Sequence, residues 1–177
     1  MSFLKKKTDK ALFSQWITHY HSKLYRHALW MTGNQDSAME MVQETYYQAW
    51  LVMHQLKDKN KALPWLLTIL RRLVYREQRC QYRDVETINQ LSLLDNQADS
   101  PNNDQLLDIY KALDHLSATQ RETLLLHALH GFSYQEISEQ LNVPIGTVMS
   151  RIARARETLR KLQKSEPSKI IQFNDFK

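Results

Sequence analysis

The chain has 177 residues, 42% of them apolar, with three glycines and a formal charge of +5, a balance that predicts a helical protein of one domain or two small ones with almost no sheet. A single cysteine, Cys80, excludes an internal disulfide and a cysteine-based zinc site. No recognisable signal peptide and no apolar run of membrane length are present, which predicts a reducing cytoplasm and no membrane insertion.

The first predicted helix runs from about Ala11 to Met31 and closes at Gly33 and Asn34. The second spans about Asp36 to Leu56. Its buried face is supplied by Ala38, Met41 or Val42, Thr45, Ala49 and Val52, leaving Glu40, Glu44 and Tyr47 outward at i, i+4 and i+7, with Gln43 beside them. Such an acidic, partly aromatic stripe is either solvated surface or a docking face for a basic or polar partner helix. A short polar loop follows, holding Lys57, Asp58, Lys59, Asn60 and Lys61, which by itself reads as a solvent-exposed turn.

The third helix is expected from about Pro64, which suits a first helical position, to Tyr82. Leu66, Ile69, Leu70 and Leu73 face inward, and Trp65 is assigned to the core. Arg72, Arg76, Arg79 and Arg83 follow at i, i+4, i+7 and i+11, with Tyr75 and Tyr82 close by. Like charges in such a row repel unless an anion lies across them, and a nucleic-acid backbone is the natural anion. Rings beside cations also suit unpaired bases, because rings stack on bases while Arg and Lys track phosphates.

Residues 84–104 read as a flexible acidic linker. The stretch is rich in Asp, Asn, Gln and Ser, and 91–104 carries three acidic residues and no basic one. It separates a first helical domain, 1–83, from a second, 105–164. The second begins with helices near Gln105 to Leu116 and Thr119 to His130, the latter closed by Gly131. Residues 165–177 form a tail whose Ile170, Ile171, Phe173 and Phe176 either fold back, dock on a partner or stay disordered.

The region from Ser133 to Arg160 predicts a helix-turn-helix. Ser133 and Glu136 stand at capping-box spacing, and Ile137 and Leu141 give a short helix one apolar edge. Asn142 tolerates a left-handed conformation and Pro144 lacks the amide needed to continue. From Ile145 a second helix begins, in which Val148, Ile152, Ala155, Leu159 and Leu162 form a buried stripe. Met149, Arg151, Arg154, Arg156 and Arg160 lie off it. A helix so placed either presents a solvated basic face or enters the major groove, where Arg grips guanine with two hydrogen bonds.

Taken in order, these residues resemble the extracytoplasmic-function (ECF) group of bacterial RNA polymerase sigma factors, in the sigma-70 family. The resemblance rests on Ala38 to Trp50, Pro64 to Arg72, Leu116 to Leu126 and the helix-turn-helix. It implies an all-α fold of two small domains on a linker and a chain that acts with core RNA polymerase on promoter DNA. Glu40, Gln43, Glu44 and Tyr47 would dock on the beta-prime clamp, and the beta flap would be a second polymerase contact. Lys57, Lys59, Asn60 and Lys61, with Arg72, Tyr75, Arg76 and Arg79, would open the minus-ten element and capture a flipped base. Thr147, Met149, Ser150, Arg151 and Arg154 would read the minus-35 element. An anti-sigma factor is a further implied partner. The family commonly has Lys at Met149, Asn and Asp at Arg72 and Arg76, and Arg at Cys80.

No enzymatic set is expected, and no cofactor or metal. His19 and His21 lie at i and i+2 on different sides of a helix, and His127 and His130 share a face with no carboxylate pair nearby in sequence. The rival reading is a free-standing helix-turn-helix regulator that binds a palindromic operator without polymerase.

Overall fold

A computed structural model describes residues 2–85 and 103–165, with side chains described over 8–79 and 109–162. The predicted linker between 86 and 102, the tail beyond 165 and the side chains of Cys80, Tyr82 and Arg83 lie outside the described residues. The chain divides into two compact units, residues 1–88 and 89–177, and the described residues contain helices and no strand.

The first unit comprises α1 (Ser2–Thr32), α2 (Gln35–Val52) and α3 (Ala62–Val85), each packed on the other two. Gly33 ends α1 at a φ of 72°, in the left-handed region, and returns its amide to the Leu29 carbonyl. Asn34 then caps α2 by accepting from the Ser37 amide at 2.8 Å. Two single-turn 3-10 helices, Met53–Gln55 and Lys59–Lys61, connect α2 to α3. The predicted second helix therefore stops at Val52, not Leu56, because the chain tightens there and the Leu56 amide bonds Met53. Pro64 falls at the third residue of α3, still within the first turn, where a missing amide leaves no helical bond unmade.

The core of this unit holds Leu24, Ala28, Met31, Ala38, Met41, Val42, Ala49, Leu66, Leu67, Leu70, Leu73 and Val74. Both Met41 and Val42 are inside. Val52 and Ile69, expected inside, are half-buried, whereas Leu67 and Val74 take buried positions the period did not pick out. An aromatic cluster closes one end. Phe13 meets Trp16, Tyr46 and Trp50 at centroid distances of 5.9, 6.1 and 5.1 Å, and Trp16 meets Trp65 edge-on at 6.2 Å. Trp65 is half-buried, at the margin of the core. Burial pushes the Tyr46 hydroxyl up to about 12, so it stays neutral.

The second unit comprises α4 (Asn103–Asp114), α5 (Ala118–Ala128), α6 (Tyr134–Leu141) and α7 (Ile145–Ser165). α5 packs on α6 and α7, and α4 also meets α7. Ser117 and Gln120 form a capping box at the start of α5. Arg121, buried, donates from Nε to the Leu113 carbonyl at 3.0 Å and from its guanidinium to Asp114 Oδ1 at 2.9 Å. Those bonds tie the end of α4 to α5 and satisfy a charge that burial would otherwise penalise. Gly131, at a φ of 73°, ends the turn after α5, and His127 Nδ1 lies 2.9 Å from the Phe132 carbonyl oxygen. No group of three His, Cys, Asp or Glu that could hold a metal ion occurs among the described residues.

Candidate nucleic-acid and partner interfaces

In α2 the buried side is filled by Ala38, Met41, Val42, Thr45 and Ala49. Thr45 is kept in the helix by donating to the Met41 carbonyl at 2.7 Å. The opposite side presents Glu40, Gln43 and Tyr47 as exposed residues, with Glu44 half-buried and accepting from Gln48 Nε2 at 2.8 Å. The four predicted residues therefore share one helix face. Leu51 continues the stripe one turn beyond Tyr47, 51% exposed, and Trp50 and Met39 flank it at 43% and 40%. Sequence reading missed this apolar component, because Trp and Leu at those positions look like ordinary core residues; an i+11 spacing from Glu40 was the available signal for Leu51.

The loop before α3 is structured. Asp58 accepts from the Asn60 amide at 3.0 Å, capping the second 3-10 turn. Lys57, Asn60 and Lys61 are exposed there. Lys59 differs from them, because its ammonium donates to the Met53 carbonyl at 3.0 Å and lies 5.7 Å from the centroid of the Trp16 ring. Its charge is thus directed at the fold, apart from the other three.

Along α3 Arg72, Arg76 and Arg79 are exposed on the side away from Leu66, Leu70, Leu73 and Val74. Tyr75 is half-buried, and the Arg71 guanidinium lies 5.7 Å from its ring centroid. Gln78 Nε2 reaches across to the Met31 carbonyl at 3.3 Å, fastening this helix to the end of α1.

The helix-turn-helix forms as its residues prescribe. Ser133 Oγ accepts from the Glu136 amide at 3.3 Å, while the Glu136 carboxylate accepts from the Ser133 amide at 2.8 Å and from its hydroxyl at 2.7 Å. Those donors hold the Glu136 carboxyl below the usual glutamate range. Asn142 ends α6 in the left-handed region at φ 53°, ψ 50°. Ser138 then grips Val143 twice, its carbonyl accepting from the Val143 amide at 3.1 Å and its hydroxyl donating to the Val143 carbonyl at 2.6 Å. The Pro144 carbonyl accepts from the Thr147 and Val148 amides as α7 begins.

Val148, Ile152, Ala155 and Leu159 bury α7 against its neighbours, and Leu162 is half-buried at the end of the stripe. Of the five predicted reading residues, Met149 and Arg154 are exposed and Thr147, Ser150 and Arg151 half-buried. Ser150 Oγ donates to the Thr147 carbonyl at 3.0 Å. Ile145, 43% exposed, joins Met149 on one edge; it stands three residues before buried Val148, so spacing alone gave no sign of its exposure.

Two helical units, one ending in a helix-turn-helix with a basic second helix and the other carrying an acidic face and a basic helix, define a DNA-binding class of protein. Residues 16–84 match the family model described as sigma-70 region 2, and residues 106–159 match sigma-70, region 4. An ECF RNA polymerase sigma factor, EcfG, of Rhodopseudomonas palustris is 33% identical over 137 residues, covering 76% of each chain. The ECF sigma factor SigL of Mycobacterium tuberculosis is 31% identical over 157 residues, covering 86% of this chain and 89% of its own. The sigma factor RpoE of Bartonella quintana, solved with the anti-sigma factor NepR, is similar in structure with a TM-score of 0.72 and 32% identity, covering 87% of this chain and 98% of its own. The chain belongs to the ECF group of the sigma-70 family and is a promoter-recognising RNA polymerase sigma factor. The region 2 match over the first unit disfavours a free-standing regulator, which has no need of that domain. No described helix is long and apolar enough to cross a membrane.

Proposed function

We propose that the α2 face of Glu40, Gln43, Glu44 and Tyr47, extended by Leu51, docks on the beta-prime clamp of core polymerase. The observation that carries this reading is the gathering of acidic, aromatic and aliphatic side chains on one exposed helix face whose other side is wholly committed to the core. Carboxylates give orientation and charge matching, while Tyr47 and Leu51 supply apolar area. The second unit meets the beta flap.

The loop bearing Lys57, Asn60 and Lys61, with Lys59 behind it, and the α3 residues Arg72, Tyr75, Arg76 and Arg79 engage the minus-ten element as it opens. Extruding a base costs a few kcal/mol. Stacking of about 1–3 kcal/mol per base, with phosphate contacts from the exposed arginines, is of the size needed to offset it. Thr147, Met149, Ser150, Arg151 and Arg154 face the minus-35 duplex. The chain works by binding energy alone, in the cytoplasm, and polymerase performs the chemistry. An anti-sigma factor restrains it, a reading supported by the relative solved in such a complex.

Runoff transcription with core polymerase, the purified chain and a fragment from upstream of its own gene tests the reading. A discrete transcript that requires both proteins is expected; binding of that fragment by the chain alone, without a transcript, would sink it.

A further inference from the structure

We propose that Ile145 and Met149 recognise thymine C5-methyl groups in the minus-35 element, an inference that rests on α7 being the helix that reads it. Ile145 and Met149 are the large apolar residues exposed among the described residues of the second unit, at 43% and 53%. They stand one turn apart and share an edge. The core beneath is already filled by Val148, Ile152 and Ala155, at 0%, 1% and 0% exposure, so the pair has no packing partner to gain by turning inward.

Gly146, between them, points to a close approach from outside. A Cβ built there meets nothing within 4 Å, so the fold itself does not require glycine, and a helical glycine weakens the helix relative to alanine. A missing side chain at this place leaves room for another molecule's surface. Nearby, the Ser150 hydroxyl is already donated to the Thr147 carbonyl. The edge formed by Ile145, Gly146 and Met149 thus brings apolar contact and no side-chain hydrogen bond, while Arg151 and Arg154 supply positive charge beyond it. A partner that is anionic overall yet offers apolar knobs matches the major groove, where thymine alone among the bases carries a methyl group.

The test uses holoenzyme on a promoter it transcribes, with the minus-35 element synthesised with thymine or with deoxyuridine, which lacks only the methyl. The wild-type chain should need roughly fourfold more holoenzyme for each contacted methyl removed, the size expected for burying one such group. Ile145→Ala and Met149→Ala should each lose part of the difference between thymine and deoxyuridine promoters, the double variant should bind the two nearly alike, and Gly146→Ala should weaken both while raising the thermal stability of the chain. Equal binding of the two promoters by the wild type, with base-pair changes in the element still harmful, would overturn the proposal. So would a minus-35 element without an A·T pair. Apolar variants that lose core assembly and keep their methyl dependence would assign the pair to a protein partner and overturn it too. A promoter indifferent to every minus-35 change would instead remove the reading of α7 on which the proposal rests.

Discussion

The Lys59 ammonium lies 5.7 Å from the centroid of the Trp16 indole, linking the loop before α3 to a helix 43 residues earlier in the chain. With its bond to the Met53 carbonyl, this lysine fixes the loop's shape from below while Lys57, Asn60 and Lys61 face out. Lys59→Met keeps the length of the side chain and removes the charge. It should lower the stability of the first unit by about 1–2 kcal/mol and slow promoter opening, read by permanganate reactivity of unpaired thymines, with core assembly unchanged. Full opening by a destabilised variant would show that the loop's shape is not needed.

Glu44→Arg reverses a charge in the middle of the α2 face, where Glu44 sits half-buried beside Gln48. Core polymerase assembly should be lost in co-purification, and circular dichroism should show an unchanged helical protein. Normal assembly would remove the clamp assignment. Leu51→Ala, at the edge of the same stripe, should weaken assembly by a smaller amount, on the order of 1 kcal/mol for the lost apolar contact.

Arg154 is exposed and clear of the buried stripe of α7, whereas Arg151 is half-buried on its flank. Arg154→Ala should cost about 1–3 kcal/mol in promoter binding and relax preference at one minus-35 position. A loss of equal size on every sequence would mark a phosphate contact in its place. Binding measured across a set of single-position promoter changes separates the two.

Local signals were legible in the sequence, and long-range ones were not. The Ser133 and Glu136 box, the left-handed Asn142 and the stripe from Val148 to Leu159 are written in spacings of three and four residues, and each forms. Lys59, by contrast, reads as a solvated loop charge, because nothing local announces an indole from α1. Arg121, Glu122 and Thr123 are consecutive polar residues that any hydropathy pattern puts at the surface, yet all three are buried, at 7%, 2% and 0% exposure. Arg121 is bonded across to the end of α4 and the Thr123 hydroxyl to the Thr119 carbonyl one turn back, so hydrogen bonding lets polar side chains lie inside there. Leu67 and Val74 are buried beyond the expected stripe because α3 packs on both α1 and α2, and two partners widen the buried face.

The capping box at α6 sets a pH dependence. Donation from the Ser133 hydroxyl and amide lowers the Glu136 carboxyl below its usual value of 4.5, so the stabilisation is fully present above that value and is lost as pH falls through the lower folded value. Thermal unfolding followed from pH 7 to pH 3 should show part of its acid limb flattened in Glu136→Gln. Ser133→Ala should cost about 1 kcal/mol at neutral pH. An acid limb unchanged by Glu136→Gln would place the effect in other carboxylates.

Ser138 holds both polar groups of Val143, and Asn142 makes the turn between them without glycine. A joint closed in this way does not swivel, so the pair α6 and α7 meets DNA as one piece. Adding or removing a base pair between the two promoter elements carries one of them around the duplex axis as well as along it. The helix pair can follow only by moving whole, so any slack a promoter's spacer demands has to come from the chain outside these two helices.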